Sequence, residues 1–165
     1  MKKLLTFVVL FIGILGLGAC EDDPNETKRL TVNGKTSYYR IRTDQKVFED
    51  ALDETVTIIK DHNSLNEYSD TVDSFYDINQ LTKQTKPYDE EFFETNTLIL
   101  ISLHENSGSI THTLEQLEIV DETLETLVRR HIGELGTTDM AAWHMVIEYG
   151  ELLEDELNTE LIISK

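Results

Sequence analysis

The chain holds one cysteine, Cys20, two prolines and one tryptophan in 165 residues. A single thiol excludes an internal disulfide and any metal site built from several cysteines. Basic residues are scarce as well: 14 lysines and arginines stand against 32 aspartates and glutamates, a net charge of −18. Phosphate recognition needs clustered Lys and Arg, so the balance argues against nucleic-acid binding. Catalytic signatures are missing. Neither Gly-x-Gly-x-x-Gly nor the full Gly-x-x-x-x-Gly-Lys-Ser/Thr phosphate loop occurs. No Ser-x-x-Lys is present, and Ser107-Gly108-Ser109 lacks the flanking glycines of a nucleophile elbow, so it reads as a tight turn. The acidic clusters at 21–23, 89–91 and 151–156 lack the alternating oxygen ligands and central glycine of a calcium loop. No internal repeat or low-complexity tract is present.

Long apolar runs are also absent, with one exception. Met1-Lys2-Lys3 is a positive start, and Leu4 to Leu17 follows as an apolar stretch broken by Thr6, Gly13 and Gly16. Leu17-Gly18-Ala19-Cys20 then places an aliphatic and two small residues before the cysteine. The stretch is shorter than the roughly 20 residues of a spanning helix. Positive start, apolar run and small residues together predict a lipoprotein signal peptide over residues 1–19, cut before Cys20. Cys20 would carry a diacylglyceryl thioether, and two acyl chains suffice for stable anchoring. Cutting would remove two of the 14 basic residues and none of the 32 acidic ones, leaving 12 against 32, a net charge of −20. The protein is therefore expected on the outer face of the cell membrane, lipid-anchored and without a free thiol.

Residues 20–35 read as a polar tether, too poor in apolar residues to pack. Residues 36–165 read as one domain, long enough for a core but not for two lobes. Tyr38, Tyr39 and Ile41 mark a strand. Phe48, Ala51, Leu52, Val56 and Ile59 recur at helical spacing and predict a helix begun by Asp44. Ser64-Leu65-Asn66-Glu67 fits a capping box, so a second helix is expected over about 65–81. Asp89-Glu90-Glu91-Phe92-Phe93 reads as one helical turn, acidic at its start. Strands follow over 97–104, 110–120, 124–132, 142–149 and 157–164, with turns at 106–109 and 121–123. The expected fold class is α+β: a mostly antiparallel sheet of about five strands, with two N-terminal helices packed on one face.

The histidines are the residues with chemical potential. His104, His112, His131 and His144 each fall in or beside a predicted strand, and His62 lies between the helices. Brought together on adjacent strands, their imidazoles, with Glu105, would suit zinc or copper in a metal-binding protein or metal-dependent hydrolase. No short-spaced pair supports that, and isolated histidines more often serve hydrogen bonds or packing, so no cofactor is expected. Trp143 with Arg129 and Arg130 would suit a protein-binding patch, because Trp and Arg dominate interface hot spots. Core packing for the indole and charge balance for the arginines are the stronger readings.

The succession Tyr88-Asp89-Glu90-Glu91-Phe92-Phe93, Thr97 to Leu103, Ser107-Gly108-Ser109-Ile110 and Gly136-Thr137-Thr138-Asp139-Met140-Ala141-Ala142-Trp143-His144 resembles small lipoproteins of Gram-positive bacteria. These are distantly similar to the C-terminal domain of the PrcB family, an accessory subunit of a surface protease complex. The resemblance covers roughly residues 86–150 and describes a fold, not a site. It departs in having a single glycine at the turn and no proline before the late strand. It implies an accessory role, a Gram-positive envelope and no catalytic residue. The function expected is a non-catalytic interaction module with an envelope protein as partner; the alternative is the histidine metal site. A small cationic ligand is a third reading, resting on net charge alone.

Overall fold

The computed structural model describes residues 30–32, 36–43, 53–85, 88–133 and 136–165. The fold class is α+β. In chain order the elements are β1 (Leu30–Val32), β2 (Thr36–Arg42), β3 (Thr55–Ile59), α1 (His62–Asp73), α2 (Asn79–Thr85) and α3 (Glu90–Phe93). β4 (Thr97–Glu105), β5 (Thr111–Val120), β6 (Thr123–His131), β7 (Ala141–Tyr149) and β8 (Asn158–Ser164) follow.

Two sheets form where one was expected. The first has the order β1-β2-β7-β4-β3 with every neighbour antiparallel; the second has the order β5-β6-β8, with β6 and β8 parallel. β4 and β7 are the central strands, and their runs Thr-Leu-Ile-Leu-Ile-Ser-Leu and Ala-Ala-Trp-His-Met-Val-Ile are buried throughout. Strands covered on both faces lose the apolar–polar alternation that a half-exposed strand keeps. Leu98, Leu100, Ala142 and Val146 meet Leu65, Val72, Tyr76, Leu81 and Phe93 on the helical side. Ile99, Ile101, Leu103, Met145 and Ile147 meet Leu114, Leu117, Leu124 and Val128 of the second sheet. The molecule is thus three layers: helices, first sheet, second sheet.

The expected helix from Asp44 to Ile59 is corrected. Residues 44–52 lie outside the described ones, and Thr55–Ile59 is strand β3, paired with β4 from Thr55 opposite Ser102 to Ile59 opposite Leu98. All five of its residues are β-branched, which favours a pleated surface over a helix. The second helix also moves. Asp61 caps α1, accepting from the Ser64 backbone N–H at 2.8 Å and from the Ser64 hydroxyl at 2.8 Å. Ser64 is therefore a donor to the cap and not the cap itself, and the helix ends at Asp73, leaving Tyr76 beyond it. The turn at 89–93 forms as expected, with Asp89 accepting from Phe92 N–H at 3.1 Å. Part of the expected tether, Leu30–Val32, pairs with β2; Cys20 and the rest of residues 1–29 lie outside the described residues.

Between β5 and β6 the two-residue turn Asp121-Glu122 has φ of 46° and 62°. Two positive φ values match the right-handed twist of the flanking strands. Further along this sheet Glu118 lies opposite Glu125, and Glu125 opposite Glu160, so three carboxylates share one row of the outer face. Like charges directly opposite destabilise a sheet. Glu125→Lys should raise the unfolding free energy by about 1 kcal/mol in dilute buffer, with the gain shrinking as salt is added. Urea titrations at two ionic strengths measure this; an unchanged midpoint would show that the row carries no strain.

Candidate functional site

The four sheet histidines do not come together. His104 and His144 lie on the helical side of the first sheet, His144 opposite Ser102 and His104 opposite Ala142. His112 lies on the inner face of the second sheet, and His131 is exposed at the end of β6, bonded through Nε2 to the Thr113 hydroxyl at 2.8 Å. Glu105 cannot join His104, because adjacent residues in a strand point to opposite faces. Among the described residues no group of three or more His, Asp, Glu or Cys side chains is placed to hold a metal ion.

Each buried histidine has another role. His144 is fully buried, with Nδ1 bonded to the Thr43 hydroxyl at 2.8 Å and Nε2 to the Tyr68 hydroxyl at 2.9 Å. The Tyr68 and Tyr76 rings stand edge-on to it, at centroid distances of 5.9 and 5.7 Å. Tyr76 also bonds to Nε2 of His104. Burial, and secondarily the neighbouring His104, pushes the His144 pKa down from 6.5 to about 4. Burial also lowers the pKa of His104, against the opposing pull of Glu54, Asp53 and Glu105. On the other side of the sheet Glu105 accepts from His112 Nε2 at 2.5 Å and from Arg130 Nε at 2.7 Å. Burial alone would raise the Glu105 pKa, but the bonds and charges of His112 and Arg130 outweigh it and hold the carboxyl below its ordinary value.

The proposed Trp–Arg patch divides in the same way. Arg129 pairs with Glu115 at 2.7 Å, while Arg130, on the opposite face, joins Glu105 and Glu54. Trp143 is buried, with the Arg40 guanidinium stacked 4.6 Å over its ring. The serine turn is a clasp: Ser107 Oγ bonds to Ser109 and Thr137 hydroxyls at 2.9 and 3.0 Å and accepts from Thr137 N–H at 2.8 Å. A Cβ at Gly108 would lie 2.4 Å from Asp139 Oδ2, so a larger residue there would displace the Asp139 carboxylate that pairs with Arg42. Thr36, the last residue of the one Gly-Lys-Thr in the chain, opens strand β2, and Gly34 and Lys35 lie outside the described residues.

One feature with room for a partner is the edge of the first sheet. β3 ends the sheet order, and among the described residues only β4 pairs with it. Its Thr-Val-Thr-Ile-Ile run carries no proline, no charge and no bulge, the usual protections of an exposed edge. Two hollows flank it. One, of about 470 Å³, lies between β3 and α1 and is lined by Asp53, Thr55, Thr57, Glu67, Tyr68 and Thr71. The other, of about 400 Å³, lies toward β8 and is lined by Val56, Ile58, Lys60, Asp155, Leu157 and Thr159. Both fall within the roughly 300–1,000 Å³ typical of binding clefts. Lys60 closes one end, its ammonium bonded to the Glu154 carbonyl and to Asp155 at 3.0 Å. Tyr68 stands in the wall of the first hollow with its hydroxyl tied to His144. Five consecutive β-branched residues were the sequence signal for this strand; its position at the edge left no trace in the sequence.

The chain matches no family model, and no curated protein and no solved structure is detectably similar to it.

Proposed function

We propose that the protein is a non-catalytic interaction module that binds an envelope protein by adding an extended segment of that partner to β3. The observation that carries the reading is the edge of β3 between two hollows, unpaired among the described residues. A row of unpaired backbone N–H and C=O groups recruits a strand through main-chain bonds, and the hollows receive its alternate side chains. Completing the sheet in this way needs no catalytic group, which agrees with the dispersed histidines and the clasped serines.

The placement at a membrane is part of the proposal. Diacylglyceryl-Cys20 would hold the domain at the outer face of the cell membrane, and the PrcB likeness, which rests on sequence pattern alone, supports an accessory role in a Gram-positive envelope. Among the described residues no helix is long and apolar enough to cross a membrane. The metal-dependent alternative has no geometric support, since its four histidines occupy three separate environments.

Photo-crosslinking tests the reading. A photoreactive side chain at Thr55, on the β3 edge, should capture one partner in the native membrane; the same group at Gln116, on the second sheet, should not. A synthetic peptide of the captured segment should then slow amide hydrogen exchange across Thr55–Ile59. Equal capture from both positions, or a peptide that leaves those amides unprotected, would overturn strand addition.

A further inference from the structure

We infer that β3 of one copy of this chain pairs with β3 of a second copy, antiparallel and with Thr57 opposite Thr57. The inference concerns the same edge as the strand-addition reading and says what holds that edge while the envelope partner is absent. A two-fold axis makes such a contact self-complementary, each residue of one copy facing its mate on the other in both directions. With the axis through Thr57 all five residues of the strand are used: Thr55 falls opposite Ile59, and Val56 opposite Ile58. Moving the axis to Val56 or Ile58 leaves two strand residues outside the ladder. Opposed residues also share a face, as the pleat requires. Thr55 and Ile59 lie toward the helices, Thr55 bonded to Ser102 and Ile59 packed in the helical core, while Val56 and Ile58 pack toward the second sheet.

The flanking charges match in the same register. Glu54 falls opposite Lys60 of the second copy, and Lys60 opposite its Glu54, so the axis generates two ion pairs. Both side chains lie toward the second sheet, where Glu54 accepts from Arg130 at 3.0 Å and Lys60 donates to the Glu154 carbonyl and to Asp155 at 3.0 Å. Each is partly exposed, 33% for Glu54 and 26% for Lys60. A carboxylate has about four acceptor sites and an ammonium three protons, so both keep capacity for a partner. Asp61 leaves the strand to cap α1, which ends the ladder before Asp61 and Asp53 would oppose each other. The run between an acid and a base is thus its own complement. The net charge of −18 opposes approach at long range, but it is screened beyond about 8 Å at roughly 0.15 M salt, whereas pairs in contact are not. Five paired residues make a small interface, and the anchor expected at Cys20 would raise the effective concentration of copies on a membrane.

Disulfide trapping of the full chain in its native membrane tests the register. Two cysteines bridge only when their Cα atoms lie within about 7 Å. Thr57→Cys meets itself across the axis, whereas Thr55→Cys lies roughly 14 Å from its copy, four residues along the strand. Thr57→Cys should therefore give a covalent dimer on mild oxidation, and Thr55→Cys no more than the unaltered chain with Cys20 alone. Glu54→Lys or Lys60→Glu, each added to Thr57→Cys, should slow trapping about five-fold, the upper range for an exposed ion pair. The two reversals together should restore it, although neither new side chain regains Arg130 or Asp155 as a partner. In the unaltered protein, solubilised in detergent, amide exchange across Thr55–Ile59 should slow as the protein concentration is raised. Trapping at Thr57 no faster than at Thr55, or exchange independent of concentration, would overturn self-pairing; a captured partner segment that protects β3 would then leave strand addition standing. Trapping at Thr57 that the paired reversals fail to restore would overturn this register. Trapping as expected, with only the chain itself captured from Thr55, would support self-pairing and overturn the envelope partner.

Discussion

Acidification from pH 7 to pH 4 should weaken this fold by about 3 kcal/mol through His144 alone. The imidazole is fully buried between two hydroxyls, and its pKa is pushed from 6.5 down to about 4. A depressed histidine pKa means that the folded state resists a proton that the unfolded chain accepts. The contribution is complete above the unfolded value of 6.5 and is lost as pH falls toward the folded value of about 4. By pH 5 the loss should reach about 2 kcal/mol, at about 1.4 kcal/mol for each pH unit below the unfolded pKa. His104, also pushed down by burial, acts in the same direction. Neither Tyr68 nor Thr43 carries a counter-charge, so a protonated ring would find acceptors there but no ion partner. Urea unfolding at pH 7, 6, 5 and 4 measures the slope. His144→Leu should lower stability at pH 7, because the Tyr68 hydroxyl loses its partner, and should flatten the slope between pH 6.5 and 4. A slope unchanged by the substitution would assign the acid sensitivity to other groups.

The second large effect is expected at Glu105. Its side chain is 4% exposed and that of His112 is 0% exposed, so their bond lies out of water. Glu105→Ala would leave His112 Nε2 and Arg130 Nε without their acceptor, although Arg130 keeps Glu54 at 3.0 Å. Removing one partner of a buried pair destabilises by about 3–5 kcal/mol, much more than the intact pair contributes, because the survivor stays desolvated and unpaired. A loss of about 3 kcal/mol in chemical denaturation is the expected result, at the lower end because Arg130 is partly solvated. The double replacement Glu105→Leu, His112→Leu should recover part of it, since no buried imidazole is left unpaired while Arg130 still lacks Glu105 and keeps only Glu54. A single-variant loss below about 1 kcal/mol would show that water reaches the site and screens it. Zinc added to the unaltered protein should leave the melting temperature where it was; a rise would revive the metal reading.

The order of elements in the second half was legible residue by residue. Thr97–Glu105 and Ala141–Tyr149 declared themselves as strands because continuous apolar runs of that length suit burial on both faces. Asp121-Glu122 announced its turn, and Asp89 its helical turn, through local backbone chemistry. Thr55–Ile59 misled, since Val56 and Ile59 also fit a helical period. The ladder with β4 decided between the two.

The separation of the histidines was only half legible. That His104 and Glu105 face opposite ways follows from the two-residue period of a strand. That His144 joins His104 under the helices, while His112 joins Glu105 between the sheets, depends on β7 lying beside β4 and on the second sheet covering the other face.

Taken alone, the sequence determined the α+β class, most of the elements and the expectation of a lipid anchor at Cys20, because each depends on residues near one another in the chain. Tertiary structure decided the split into two sheets, the parallel pairing of β6 with β8, the partners of the buried histidines and the place of β3 at the end of its sheet among the described residues. These depend on which distant segments become neighbours, and pairing is settled by the burial and backbone bonding of the whole assembly, to which any single strand contributes the same pattern wherever it lies.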